Sequence, residues 1–413
     1  TEIYTLSLHD ALPIYGLSLY GYFNSYRPVT QCHCGFPLPL NGYGPTRRLV
    51  PNYRKKYIRP YGIPQLKNRI LHLICCTIPL SFLFTYSVIT HAAETNSAWS
   101  YWGGTKAFNR YSPAAQIYAE NVSELKILWR RPAVDSSITS AYPDLQVSGN
   151  LRSTPILIDG VLYAANGVGL AEAFDPATGA TLWVQQPDAP TLESARGRST
   201  RGLEYWADGA DSQLLVIRKG YLYALDPASG EAIASFGDAG RVSLIPAGSN
   251  SYSYNSGGPI VVNDVIVIAG TVDGAGDSGA KWRGVASEDV RGYDVRSGEL
   301  LWTFHAVPRE GEFGYDTWEN DSARESGDLG AWCCLSADED LGYVYVPFTA
   351  PTAAYYGGHR PGDNLYSNSL VAIDVTTGER VWHFQMVHHD VWEYDNVGRS
   401  EEHTSELQSH LNL

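Results

Sequence analysis

AFDPATGATLW (residues 173–183), ALDPASGEAIA (224–234), GYDVRSGELLW (292–302) and AIDVTTGERVW (372–382) are four copies of one phrase. Such a repeat marks units that cannot bury their apolar faces alone and must stack on neighbours. In each copy an Asp at the third position and a Gly at the seventh bracket a tight turn. The carboxylate accepts from turn amides, and the Gly takes the left-handed backbone conformation. Residues on either side then predict a β-hairpin. The closing Trp, present in three of the four copies, is too large for the space between two strands of one sheet. It suits the gap between neighbouring sheets, where it buries about 150 Å2 or more. Successive Asp residues are 51, 68 and 80 positions apart, room for about four strands with loops. Apolar segments such as GVLYAANG (160–167), KGYLYAL (219–225), DVIVIAG (264–270) and GYVYVP (342–347) supply further strands. The expected fold is all-β, a propeller of four-stranded antiparallel sheets.

Outward from the repeats, the chain changes character. Residues 94–398 carry 39 acidic and 20 basic side chains, within a whole of net charge -14, which argues against a nucleic-acid partner. Residues 15–65 are rich in Tyr, Pro and Arg without helical or strand period, and read as translated upstream DNA. The single Met is Met386. Residues 1–14 (TEIYTLSLHDALPI) and 399–413 (RSEEHTSELQSHLNL) read as translated sequencing adapters and are set aside from the fold. Within residues 66–93, Lys67 and Arg69 precede an apolar run (70–89) that ends in Thr-His-Ala-Ala. That is a secretory signal peptide or, being long enough to span a bilayer, an uncleaved anchor. Only Cys333 and Cys334, of six cysteines, fall in the acidic region, so no disulfide scaffold is expected.

The repeated phrase resembles the tryptophan-docking repeat of the pyrroloquinoline quinone (PQQ) dehydrogenases. WSYWGGTKAFNRYSPAAQIYAENVSELKILWR (99–130) is similar to the start of their mature chains. The resemblance covers residues 99–397 and implies roughly half of an eight-bladed ring. It implies a dehydrogenase that oxidises a CH–OH group of a sugar or alcohol, with hydride transfer to PQQ assisted by an Asp base and a divalent metal, Ca2+ or Mg2+. The implied electron acceptor is a membrane quinone or a cytochrome. The implied location is the periplasm, with membrane association through the apolar segment as an option.

Alcohol oxidation of this kind needs a base, a polarised carbonyl and a slot for a flat cofactor. VHHDVWEYD (387–395) is similar to the family segment in which an Asp after His contacts the substrate hydroxyl, which assigns the base to Asp390. Its other reading is a loop cap. GAWCCLSADED (330–340) places Trp332 where the family stacks an indole on the quinone; packing between blades is the alternative. RGRSTRGLEYW (196–206) resembles the segment whose Arg binds the quinone and its carboxylates, here Arg201, against a surface ion pair. Arg152 in NLRSTP and Ser256 in YNSGGP occupy matching blade starts and join the cofactor set. AGTVDGAGD (269–277) lies where relatives give the metal an oxygen ligand, which assigns Asp273, against an Asp-Gly turn.

The chain departs from the methanol-oxidising relatives, which carry an adjacent cysteine pair just before the Arg-Gly segment. Residues 194–200 hold no cysteine, and Cys333-Cys334 follows the stacking Trp instead. Two buried free thiols on a strand are the simpler expectation there, a strained ring the other. VHHDVWEYD and YYGGHRPGDNLYSNSLVAID (355–374) are closer to the glucose-dehydrogenase-like branch, which favours sugars or other polyols. The competing reading is a non-catalytic propeller scaffold of the outer-membrane assembly type. It shares the repeat and needs no Arg201, Trp332 and Asp390 together.

Overall fold

The four turns close as their Asp and Gly require. Asp175 Oδ1 accepts from the amides of Ala177 (3.0 Å) and Thr178 (2.7 Å), and Asp226, Asp294 and Asp374 accept from the equivalent amides. The following Gly179, Gly230, Gly298 and Gly378 have φ between 70° and 75°, a region costly for any residue with a β-carbon. The computed structural model describes residues 2–7, 99–147, 149, 151–245, 257–270, 287–331, 334–352, 355–392 and 396.

Strand β1 (Glu2–Ser7), within the stretch set aside from the fold on sequence, pairs antiparallel with β2 (Lys126–Pro132). Four antiparallel meanders follow. The first is β3 (Ile156–Ile158), β4 (Val161–Ala165), β5 (Ala171–Phe174) and β6 (Thr181–Val184). The second is β7 (Glu204–Asp208), β8 (Asp211–Arg218), β9 (Tyr221–Leu225) and β10 (Arg241–Ser243). The third is β11 (Ile260–Val262), β12 (Val265–Ile268), β13 (Val290–Asp294) and β14 (Leu300–Phe304). The fourth is β15 (Ser336–Asp338), β16 (Tyr343–Pro347), β17 (Ser369–Asp374) and β18 (Arg380–Gln385). Strands β7, β11 and β15 lie side by side, so each sheet begins at the centre and works outward. These are the blades of an open, partial β-propeller.

The register explains the composition of the repeat. Trp183, Trp302 and Trp382 stand opposite Ala173, Gly292 and Ala372, with a bulge directly after each pair. A small residue is needed because the indole lies across it: a β-carbon on Gly292 would sit inside the Trp302 ring. The indole then reaches the next sheet. Nε1 of Trp129 donates to Pro176 O (2.9 Å), Trp183 to Pro227 O (2.9 Å) and Trp302 to Val375 O (2.8 Å). Each acceptor is the residue after a turn Asp, and each ring covers that turn's Gly. Trp382, with no sheet beyond it among the described residues, is 39% exposed against 8% for Trp302.

The second copy departs from the predicted hairpin over residues 224–234. Only its first strand forms there, as β9, and the outer strand is displaced to β10. The physical reason is Ala234, which stands where the other copies have Trp. Phe236 instead packs on Gly298, and Gln213 Nε2 donates to Val295 O. This junction keeps both features of the dock, a ring on the glycine and a donor on the carbonyl, but takes them from two residues.

A wedge of residues 99–110 fastens the inner strands together. Leu157 N donates to Trp99 O (2.9 Å), Ala337 N to Lys106 O (2.8 Å), and Lys106 Nζ to Val261 O. Tyr101, Trp102 and Phe108 are buried, with ring centroids 4.6 to 6.0 Å apart. They share one core cluster with Ile156, Leu214, Ile260 and Val344, one residue from each sheet.

If docking holds the blades together, Trp302→Phe keeps most of the packing but orphans Val375 O, at a cost of about 1–3 kcal/mol. Trp302→Ala loses the packing as well, about 3–5 kcal/mol. Denaturant unfolding of the two variants should show that order, and equal losses would remove the hydrogen bond from the account.

Candidate functional site

Arg152, Arg201, Ser256 and Trp332 each lie three or four positions before β3, β7, β11 and β15. The segments that hold the two described members, Arg152 and Arg201, are joined by hydrogen bonds. Thr154 N donates to Arg201 O (2.7 Å), and Arg152 N to Ser199 Oγ (3.2 Å). Both guanidinium residues are half-buried. Ser256, Trp332 and Asp273 lie outside the described residues. Gly257 and Gly258 press against the Trp102 ring, with Cys334 N beside the first and Gly202 O beside the second.

Trp102 is therefore the floor on which three blade starts meet. Its Nε1 is buried without a hydrogen-bond partner among the described residues, and so is Thr200 Oγ1, next to Arg201. A buried polar atom without a partner costs about 1–3 kcal/mol.

Arg218 braces the segment leading to Arg201. Its Nη2 donates to Ser194 O (2.7 Å), Ala195 O (2.9 Å) and Arg196 O (2.9 Å), and Nε to Val168 O (3.3 Å). Burial lowers the guanidinium pKa, against the pull of Tyr223 and Asp188. Where methanol-oxidising relatives have a cysteine pair, this chain thus has a carbonyl clamp. The sequence reading missed it because Arg218 ends an ordinary-looking strand.

On the wedge side of Arg201, Glu204 is buried at 1% exposure, with Lys106 Nζ 3.7 Å away and Glu339 completing the group at 3.1 Å from the same ammonium. Glu204 Oε2 has no hydrogen-bond partner among the described residues. Burial drives its pKa up to about 8, with Lys106 opposing the rise and Glu339 adding to it.

Asp390 is fully buried. Its Oδ1 accepts from Trp392 N (2.9 Å), the Asx-type contact that a loop cap makes, and its carbonyl accepts from Arg360 Nη2. The strand before it connects inward by Met386 N to Asn368 O (2.8 Å), Asn368 N to Thr349 O (3.0 Å) and Thr349 N to Gly330 O (2.9 Å), two residues before Trp332. Glu288 is a buried carboxylate that the sequence reading did not single out. It packs against Gly330 and Gly270 O, where the stretch holding Asp273 begins. Among the described residues no group of three or more His, Cys, Asp or Glu side chains is placed to hold a metal.

One expectation is corrected. Cys334 is disulfide-bonded rather than a free thiol. Its partner lies outside the described residues, as do the other five cysteines. The free-thiol expectation, preferred over a strained ring, placed the cysteines on a strand. Cys334 has a left-handed backbone (φ 63°) and precedes β15 rather than lying in it. The apolar run 70–89 lies outside the described residues, among which no helix is long and apolar enough to cross a membrane.

Comparison with known proteins gives one consistent result. Residues 99–400 match the family described as PQQ: glucose/ethanol/alcohol dehydrogenase, beta-propeller domain. Quinoprotein glucose dehydrogenase A of Acinetobacter calcoaceticus is 32% identical over 343 residues, covering 75% of this chain and 40% of that protein. The dehydrogenase subunit of the quinone alcohol dehydrogenase of Acetobacter aceti is 30% identical, covering 76% and 41%. Among solved structures, a quinohemoprotein alcohol dehydrogenase, ADHIIG, of Pseudomonas putida HK5 superposes with a TM-score of 0.56 at 25% identity, covering 73% of this chain and 42% of that one. The chain spans about 40% of the length of the curated relatives it matches.

The Glu204 carboxyl gives a test of its own. Its folded pKa is about 8, above the unfolded value of about 4.3, so the folded state binds the extra proton between the two. This contribution to stability is full below about pH 4.3 and lost as pH rises through 8. Urea midpoints of the wild type should fall from pH 5 to 8 relative to Glu204→Gln, in which the fall is smaller. Parallel curves would show that Glu204 is ionised throughout.

Proposed function

The chain belongs to the PQQ family of glucose, ethanol and alcohol dehydrogenases, and from that premise we propose that it forms the quinone-binding portion of an enzyme oxidising a CH–OH group of a sugar or alcohol. The observation that carries this reading is the bonding of the Arg152 segment to the Arg201 segment, whose Gly202 lies on the Trp102 ring, with Trp102 Nε1 and Thr200 Oγ1 without hydrogen-bond partners among the described residues. A planar polycarboxylate with adjacent carbonyls fits that donor set: the guanidinium forks match its carboxylates, and the orphaned donors match its remaining oxygens.

Bound there, the quinone supplies the two-electron acceptor for the C–H bond being oxidised. The chain's own residues do the rest. Arg201 and Arg152 hold the anionic cofactor, with Ser256 a further hydrogen-bonding group at the third blade start and Trp332 the flat stacking surface. Asp390 takes the proton from the substrate hydroxyl. Its burial keeps water from competing for that proton, and its carboxyl is already oriented by Trp392 N. Arg218 fixes the segment that presents Arg201. Asp273 is the proposed ligand of a hard divalent cation, Ca2+ or Mg2+, and the buried Glu288 carboxylate supplies a second oxygen donor near the start of that stretch.

The substrate class is a sugar or other polyol. The support is the similarity of residues 355–374 and 387–395 to the glucose-dehydrogenase-like branch, together with the 32% identity to a glucose dehydrogenase. Electrons pass to a quinone or a cytochrome. The placement that goes with this chemistry is the periplasm, reached through the apolar segment 70–89 acting as signal or anchor.

The test is turnover of the complete enzyme, with added quinone, metal and dye acceptor, on glucose, other polyols and simple alcohols. Asp390→Asn should lower kcat by about 100- to 10,000-fold with quinone binding nearly intact. Arg201→Ala should weaken quinone binding itself. Absence of quinone-dependent dye reduction across the panel would favour the scaffold reading.

A further inference from the structure

The proposed chemistry makes no use of residues 357–368, yet this loop holds Asp390. Arg360 is completely buried, as Asp390 is. One guanidinium nitrogen donates to Asp390 O, and another to Asn364 Oδ1 at 2.7 Å. Asn364 Nδ2 returns to the carbonyls of Arg360 (2.8 Å) and Pro361 (3.3 Å), which closes a small ring of polar contacts. The next turn is tied to residue 389: His389 N donates to Asp363 O (3.3 Å), and its Nδ1 lies 2.9 Å from Gly362 O. On its far side the loop is pinned to the insert between the third and fourth sheets, by Asn364 N to Thr317 O (3.0 Å) and Leu365 N to Thr317 Oγ1 (2.9 Å).

A guanidinium with no exposed surface is costly unless a counter-charge accompanies it. Burial brings Arg360 down to about 10, and the charge that opposes this fall is Asp390. The two residues are 30 positions apart and meet only because the loop folds back under the segment after β18.

We propose that Arg360 is the positioning residue of Asp390, fixing its backbone through the carbonyl bond and supplying the counter-charge that keeps the side chain in one orientation. The proposal rests on Asp390 acting as the base. A guanidinium suits this task better than an ammonium. One of its nitrogens bonds the carbonyl and another the Asn364 amide, while the delocalised charge still faces the carboxylate.

Two measurements separate this role from a merely structural one. In the quinone- and metal-loaded enzyme, Arg360→Met should lower kcat by about 100-fold, the loss expected from a catalytic group displaced by about 1 Å. KM and quinone affinity should stay near wild type, and Arg360→Lys should recover part of the lost turnover. The second measurement needs no activity: thermal melting of the quinone-free protein. Asp390→Asn leaves Arg360 buried without its counter-charge and should melt below wild type. Adding Arg360→Met to it should raise the melting temperature again, because removing both charges relieves the isolated one. A double variant that melts no higher than Asp390→Asn overturns the pairing. Wild-type kcat in Arg360→Met, with Asp390→Asn inactive, overturns the proposal while the base assignment stands. Full turnover in Asp390→Asn overturns the base assignment and the proposal with it.

Discussion

The contact between an indole N–H of one sheet and the carbonyl after the turn Asp of the next sets the spacing on which everything else depends. It is a directional bond within an apolar contact, so it fixes both the distance between blades and their relative rotation. Trp129, Trp183 and Trp302 each make it, and each lays its ring over the turn glycine. Because the dock sits on the outer part of the blades, the inner strands converge without needing large side chains of their own. That leaves the starts of the inner strands free to carry Arg, Ser and Trp where a soluble β-sheet would ordinarily need turn residues.

The repeat was legible in the sequence because its physics is local. Asp, Gly and the small residue opposite Trp act within eleven positions, and the structure follows them in the turns, the register and the bulges. Even the exception announces itself, since Ala234 breaks the pattern. What takes the place of Trp was not legible. Gln213 lies on a different strand, 82 positions from Val295, and nothing in its neighbourhood marks it as a docking group. The wedge is similar: its aromatic residues are visible in the sequence, but their meeting with all four sheets is a product of closing the arc.

For the site, the residue assignments came from the resemblance, with Arg152 and Ser256 also at matching blade starts, and the structure joins the Arg152 and Arg201 segments by hydrogen bonds. The assignments at Trp332, Ser256 and Asp273 fall outside the described residues and are carried by the resemblance. The supporting residues were invisible for one common reason. Arg218, Glu204, Glu288 and Arg360 are ionisable groups inside a protein core, and a one-dimensional pattern assigns such residues to the surface by default. Only burial reveals them. The free-thiol expectation at Cys334 was preferred over a disulfide because a strand was assumed where the backbone turns into a left-handed conformation before β15.

Buried charges of this kind are weak contributors to stability, because desolvation offsets most of the pairing energy. Their placement here is therefore informative. Arg218 grips three successive carbonyls ahead of Arg201, Lys106 and Glu204 lie where the wedge meets the strand that follows it, and Arg360 grips the backbone of Asp390. Each of these sits close to a residue of the proposed chemistry, whereas the buried Arg131–Glu172 pair (2.6 Å) joins β2 to β5 on the strand that carries the docking Trp129. A core built for stability alone would place Leu or Met at these positions. Charges retained there, against their desolvation cost, fit a site in which the direction of a neighbouring group matters more than the strength of the packing.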